Sequence, residues 1–259
     1  MTEPQHKLPD SFRFTAPPDR CAYLPDRQSV MDYRWFDELS AEDFAWLLQR
    51  GWRRFGELVF RPNCPGCQEC RGIRLDVHTF QPNRSQRRTL KRNADVRVEF
   101  AEADVSPDHL RIYNAYHAHM HAQRGWPLHL SDWSDYQQCF LSGERAFGYE
   151  FRYFRDEQLL GVALCDVVPD ALSAVYFYHD PVWRPLAPGT FNILQHVRLA
   201  SETGRRWVNL GFWVAGCPSM AYKVQFEPFE LLESFPSDDA PPAWKEPIRS
   251  RFEPPPRLD

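Results

Sequence analysis

The 259-residue chain lacks any long hydrophobic run and any strong net charge. A bilayer-spanning helix needs roughly 18 or more consecutive apolar residues, and no stretch reaches that length, so we expect no membrane spans. The opening residues, MTEPQHKLPDSFRF, have no apolar stretch of the kind that secretory signals carry. The net charge is −4, so a nucleic-acid-binding signal would have to be local. These absences favour a soluble, cytoplasmic protein.

The composition is sufficient for a packed core, with 43% hydrophobic and 15% aromatic residues. The order of the predicted elements suggests three parts: a cysteine-bearing N-terminal part with a basic helix (1–97), a mixed α and β part (98–235) and a proline-rich tail (236–259). In the second part, three antiparallel-looking strands precede a long helix and a further strand. This layout predicts an α+β fold with an acetyltransferase-like (GNAT-type) C-terminal domain, beside a smaller α+β domain.

A cluster of thiols lies in the segment CPGCQEC at 64–70. Cys64, Cys67 and Cys70 offer three ligands, and Cys21 is the natural fourth for a tetrahedral metal. The segment therefore suggests a structural zinc ion or an iron–sulfur cluster. The usual zinc pattern has two Cys-x-x-Cys pairs, and this chain lacks the second pair. A redox pair or simply packed thiols remain the alternatives.

A basic segment follows the cysteines, with eight Arg or Lys residues against two acids between positions 71 and 97. The spacing of three and four residues that places side chains on one helix face is found at Arg84, Arg87, Arg88 and Lys91, with Arg92 beside them. Like charges at that spacing repel each other, so the arrangement favours a bound anion. We expect this helix to contact a nucleic-acid phosphate backbone; a solvated surface helix is the alternative.

Six segments resemble a known family. They are CAYLPDRQS (21–29), RPNCPGCQECRGIRL (61–75), NRSQRRTLKRNAD (83–95), LSAVYFYHDP (172–181), GTFNILQHVRLASETG (189–204) and NLGFWVAGCPSMAYKVQFEPFELL (209–232). In this order they resemble the aminoacyl-tRNA–protein transferases, and most closely the bacterial aspartate/glutamate leucyltransferases. The arginyl branch resembles CGYC at the first segment. Leu24 replaces its second cysteine here, which favours the leucyl branch.

The resemblance implies transfer of leucine from leucyl-tRNA to proteins that begin with Asp or Glu, marking them for degradation. An aminoacyl ester is already activated, so the resemblance implies no required cofactor. The attacking α-amine has a pKa of about 7.7–8.0, so alignment, proton transfer and oxyanion stabilisation are the main tasks. The candidate catalytic residues are Tyr178, Asp180, Tyr222 and Lys223.

Recognition of an acidic N-terminal residue needs a cation, and the fork of an arginine suits a carboxylate best. Arg27 is the leading candidate, followed by Arg74 and Lys223, while Asp26 is placed to pair with the free amine. An aliphatic donor needs an apolar pocket, for which the candidate walls are Phe177, Phe212 and Trp213.

Three other functions remain open at this stage. An arginyl-tRNA–protein transferase would share the fold and the chemistry. A non-catalytic tRNA- or RNA-binding protein would use the basic helix alone. An acetyl-CoA-dependent acetyltransferase would need a turn of backbone N–H donors before the long helix, where RPLAPGTF has two prolines that remove donors.

Overall fold

The computed structural model describes residues 6–143 and 146–247. The α-helices of that part of the chain are α1 (Ala41–Gln49), α2 (Arg84–Arg92), α3 (Pro107–Arg124), α4 (Trp133–Tyr136) and α5 (Pro188–Glu202). A π-helix spans Gln137–Leu141, and 3₁₀ turns span Pro181–Leu186 and Pro218–Gln225. Its strands are β1 (Phe12–Thr15), β2 (Asp19–Arg20), β3 (Gln28–Ser29), β4 (Met31–Trp35), β5 (Arg53–Phe55), β6 (Leu58–Pro62), β7 (Arg71–Asp76), β8 (Arg97–Glu102), β9 (Gly148–Arg155), β10 (Gln158–Val168), β11 (Ala171–His179), β12 (Trp207–Trp213), β13 (Phe229–Leu232) and β14 (Trp244–Lys245). No helix within this part of the chain is both long and apolar enough to span a bilayer.

A small antiparallel sheet has the strand order β1-β4-β6-β5. Helix α1 follows β4, and its N-terminus is capped by the Ser40 hydroxyl, which accepts a hydrogen bond from the Asp43 N–H. The apolar side chains of α1, namely Phe44, Leu47 and Leu48, are buried. These residues form a core with the side chains of the small sheet and with the end of the large sheet at Val168, Ala171 and Trp207.

The large sheet has eight strands in the order β14-β13-β7-β12-β11-β10-β9-β8. It is mixed, because β11 and β12 run parallel while the other neighbours are antiparallel. Helix α5 connects these two parallel strands and buries Phe191, Ile193 and Leu194 in the main core. The sheet and its flanking helices confirm the predicted α+β class.

The N-terminal half contributes two strands to the large sheet. Strand β7, which follows the cysteine segment, lies between β12 and β13. Strand β8 forms the edge of the sheet opposite β14. The division of the chain at residues 97 and 235 remains a prediction.

The segment after β13 packs against the rest of the protein as far as residue 247. Asp238 accepts hydrogen bonds from Arg13 and Arg34, and β14 pairs with β13 through Trp244 and Lys245. This segment is the first half of the predicted proline-rich tail. Residues 248–259, its second half, lie outside the described residues.

Candidate active site

The two parallel strands of the large sheet separate in their carboxyl-terminal halves. They pair only at Ala171–Ser173 with Trp207–Asn209, although β11 continues to His179 and β12 to Trp213. The pairing of β12 with β7 is also irregular between Asn209 and Phe212, where Gly211 has a φ of 84°. Such an opening beyond the carboxyl ends of parallel strands is a common ligand-binding position in α/β sheets. We refer to it as the sheet opening.

Two cations lie at the base of the sheet opening, one held by each strand. Arg53 of β5 is 9% exposed, and its Nη1 donates to the Ser173 hydroxyl at 3.1 Å. Lys223 donates from Nζ to the Phe212 carbonyl oxygen at 2.7 Å. A Cβ atom on Gly211 would lie 3.4 Å from Arg53 Nη2 and 3.6 Å from Lys223 Nζ. Both cations therefore border the space that this glycine leaves free.

Burial affects the protonation of both groups. It lowers the pKa of Arg53 to about 10, against the opposing effect of Asp166. Burial and the charge of Arg53 together lower the pKa of Lys223 to about 7, against the opposing effect of Cys217. Lys223 therefore titrates near neutral pH, whereas Arg53 stays charged.

A buried ion pair lies directly behind Arg53. The Arg54 guanidinium donates to Asp166 Oδ1 through Nε and Nη2, and both side chains are buried. Burial raises the pKa of Asp166, and the charge of Arg54 opposes that effect. A single carboxylate thus faces two guanidinium groups, which leaves the site with excess positive charge.

The predicted catalytic residues occupy three different environments. Tyr178 is fully buried, and its hydroxyl lies 2.6 Å from the hydroxyl of Tyr136. Asp180 caps a 3₁₀ turn by accepting from the Val182 N–H at 3.0 Å, and it lies 3.6 Å from Arg111. Tyr222 is 39% exposed and directly precedes Lys223. The structure therefore brings Lys223 to the sheet opening, while Tyr178 and Asp180 have partners of their own.

The predicted substrate-binding cations are also separated. Arg74 donates to Glu230 at 2.7 Å and lies over the rings of Trp207 and Trp244, so its charge is already paired. Arg27 is exposed and donates to the Cys67 sulfur at 3.2 Å. Asp26, beside it, is also exposed.

The loop that carries Arg27 packs near the end of β12. A Cβ on Gly216, just beyond that strand, would lie 3.2 Å from a methyl carbon of Leu24. Among the predicted pocket walls, Phe212 and Trp213 lie on β12 at the sheet opening, with Phe212 packed against Phe235. Trp213 is also buried in the main core, against which Phe177 packs through contacts with Tyr153 and Trp183.

The basic helix α2 presents its charges to solvent. The exposed residues are Arg84, Arg87, Arg88, Lys91 and Arg92. The opposite face is fixed by polar contacts: Gln86 donates to the Gln225 carbonyl at 3.1 Å, and Asn93, at the helix end, accepts from the Trp183 indole at 2.7 Å. The capping box of Asn83 and Gln86 starts the helix. The structure therefore holds the basic face outward and anchors it near the 3₁₀ turn that contains Lys223.

The four cysteines predicted as metal ligands lie near one another in the structure. Burial, together with the charges of Cys21, Cys64 and Cys67, raises the pKa of Cys70 to about 12. The sulfurs of Cys21, Cys64 and Cys67 accept hydrogen bonds from Leu24 N–H, Val30 N–H and Arg27 respectively. Among residues 6–143 and 146–247, no group of three or more His, Cys, Asp or Glu side chains is arranged to hold a metal. A metal at these cysteines stays a prediction.

Sequence reasoning missed the charged residues at the base of the sheet opening, namely Arg53, Arg54 and Asp166. A signal was present, because Asp166 interrupts the apolar run LLGVALCDVV, and an acid inside a buried strand needs a partner. Two adjacent arginines in a short strand, WRRF, supply that partner.

The fold is similar to one that is known from a crystal structure. FemX matches with a TM-score of 0.51 over 87% of each chain, at 8% sequence identity. At that identity the match supports the fold alone. It supports the predicted acetyltransferase-like fold, in which the sheet opening between the parallel strands is the candidate functional site.

Comparisons of sequence identify the family. The models described as Arginine-tRNA-protein transferase match residues 19–88 for the N terminus and 108–233 for the C terminus. The aspartate/glutamate leucyltransferase of Helicobacter hepaticus is 35% identical over 225 residues, which are 87% of this chain and 93% of that protein. The enzyme of the same name from Pseudomonas savastanoi pv. phaseolicola is 34% identical over 223 residues, with 85% and 92% coverage. The chain belongs to this family of aminoacyl-tRNA–protein transferases, and it is a transferase. The resemblance in the six segments is confirmed.

Proposed function

We propose that the protein transfers leucine from leucyl-tRNA to the α-amine of proteins that begin with Asp or Glu, in the cytoplasm. The observation that carries this proposal is the 35% identity, over 93% of its length, with an enzyme named aspartate/glutamate leucyltransferase. The structure supports it through two features on one chain: an exposed basic helix and a cation-bordered opening in an acyltransferase-like sheet.

In the proposed reaction the neutral α-amine attacks the ester carbonyl of leucyl-tRNA. A C–N bond forms, the C–O bond to the ribose breaks, and the proton that leaves the nitrogen goes to the ribose oxygen. The ester is activated already, so this chemistry needs no nucleotide or metal. The hydroxyl of Tyr222, which directly precedes Lys223 in the chain, is the proposed relay for that proton. Phe212 and Trp213 of β12 are the proposed walls for an apolar donor side chain.

A transfer assay tests the proposal. Leu-, Phe- and Arg-tRNA would each be incubated with peptides that begin with Asp, Glu or Ala, and transfer would be followed by mass. We expect leucine on the Asp and Glu peptides and not on the Ala peptide. Arginine transfer would show the arginyl activity instead, and binding of tRNA without any transfer would show a binding protein.

Helix α2 should bind the tRNA backbone. Replacing Arg87, Arg88 and Lys91 together with Ala should weaken tRNA binding and flatten its salt dependence, because each lost phosphate contact lowers the slope by about 0.7–0.9. The measurement is the affinity for leucyl-tRNA between low and moderate salt.

The control for this prediction is Arg198→Ala, which removes an exposed arginine of α5 that lies beside Glu202. An unchanged salt slope in the triple variant would contradict a role of α2 in tRNA binding. The zinc and iron content of the purified protein separately tests the predicted metal at the cysteine cluster.

A further inference from the structure

The cations at the base of the sheet opening are more numerous than the acids that face them. Arg53 and Arg54 lie near one carboxylate, that of Asp166, and Lys223 lies near the charge of Arg53. Arg54 donates to Asp166 Oδ1 through both Nε and Nη2. Arg53 is held by the neutral hydroxyl of Ser173, and Lys223 by a backbone carbonyl. Partly buried cations with neutral partners favour an added anion.

The shape of the site selects the kind of anion. Arg53 is only 9% exposed, so a ligand must reach it with a terminal group. A backbone phosphate continues in two directions along its strand, whereas a side-chain carboxylate is the end of its chain. Gly211 leaves free the space beside both cations, which a Cβ atom would occupy. These features favour a small carboxylate over a phosphate.

The position also suits the acceptor of the proposed reaction. In an N-terminal Asp or Glu, the carboxylate lies only a few bonds from the attacking amine. The group that binds it must therefore be next to the reacting ester. Lys223 lies at the sheet opening, where its Nζ donates to the Phe212 carbonyl oxygen. Arg27, in contrast, is exposed and donates to the Cys67 sulfur.

We propose that Arg53 and Lys223 together bind the side-chain carboxylate of the acceptor's N-terminal Asp or Glu, with Ser173 positioning Arg53. This inference rests on the proposed function and assigns the specificity for acidic N-termini to a pair of residues on β5 and on the 3₁₀ turn after β12.

The test is the ratio of kcat/KM for peptides that begin with Asp and Asn, which differ by one charge in nearly the same volume. Arg53→Gln and Lys223→Gln should each reduce the wild-type ratio by about ten- to a hundredfold, since each loses a charge-assisted hydrogen bond. Ser173→Ala should reduce the ratio less, because it only loosens Arg53. Arg53→Lys keeps the positive charge, so it should retain part of the wild-type ratio that Arg53→Gln loses.

Arg61→Gln is the matched control. Burial also lowers the pKa of Arg61 to about 10, but this arginine of β6 donates to the Pro236 carbonyl and lies over Trp52. Its variant should keep the wild-type ratio. If Arg53→Gln does not fold, as judged by its melting temperature, Lys223→Gln decides the question, because Lys223 lies nearer the surface.

Three results would overturn the inference. Variants of both cations that keep the wild-type ratio would exclude the pair. Equal losses with Asp and Asn peptides, together with weaker leucyl-tRNA binding, would show that the cations bind a tRNA phosphate. Loss of the ratio in Arg27→Ala alone would assign the carboxylate to Arg27. A wild-type protein that transfers no leucine to the Asp peptide would instead refute the proposed function.

Discussion

Asp166→Asn should reduce the free energy of unfolding by about 3–5 kcal/mol, because it leaves the buried guanidinium groups of Arg54 and Arg53 without a counter-charge. Asn has almost the same volume as Asp, so a cavity does not contribute to the loss. The effect should appear in a urea titration as a lower midpoint with an unchanged slope.

A double variant separates the loss of charge from a general intolerance of this position. Arg54→Met combined with Asp166→Leu removes both charges and fills the same space with apolar side chains. The free energy of unfolding of this double variant should therefore be higher than that of Asp166→Asn and closer to the wild-type value. Equal losses in the single and double variants would show that the ion pair is not the source of the effect. A wild-type midpoint in Asp166→Asn would contradict the prediction outright.

The helices were predictable because their signals are local. Helices α1 and α3 begin at serine N-caps, and α3 ends at Gly125, which has a φ of 64°. Helix α2 begins at the Asn83 capping box. Each of these signals lies within a few residues of the helix end that it determines, so the sequence alone carries it.

Several strands were missed because distant partners stabilise them. Strand β13 has four residues and pairs with β7, which lies more than 150 positions earlier in the chain. Strands β1 and β4 pair with each other across a segment that contains three prolines and no hairpin turn signal. Pairing of this kind depends on the tertiary fold, which local periodicity does not encode.

The candidate site was predictable in its residue types but not in its geometry. The segment MAYK predicted Tyr222 and Lys223 as site residues, and the structure brings Lys223 to the sheet opening. The segment VYFYHDP predicted Tyr178 as a catalytic residue as well. Whether a strand side chain faces a ligand or a neighbouring helix depends on what packs on that face of the sheet. Here Tyr136 occupies that place. The contact between Arg53 and Ser173 joins residues 120 positions apart, so no local pattern predicts it.

Tyr222→Phe should lower kcat/KM for leucine transfer by about a hundredfold or more, the usual contribution of a group that moves a proton in the transition state. The Tyr222 side chain is 39% exposed, and the residue directly precedes Lys223 in the chain. In the proposed reaction, removal of its hydroxyl leaves the departing ribose oxygen without its proton relay, whereas binding of the tRNA through α2 does not depend on it. The measurement is single-turnover transfer from leucyl-tRNA to an Asp peptide, with tRNA affinity measured in parallel.

Tyr178→Phe is the matched comparison, because it removes the same atom from a buried tyrosine one strand away. It should act mainly on stability, by about 1–3 kcal/mol, since the Tyr136 hydroxyl loses its partner. Its effect on kcat/KM should be the smaller of the two. A larger loss of transfer in Tyr178→Phe than in Tyr222→Phe would contradict this assignment, and would show that the Tyr178–Tyr136 pair supplies the proton relay from behind the sheet.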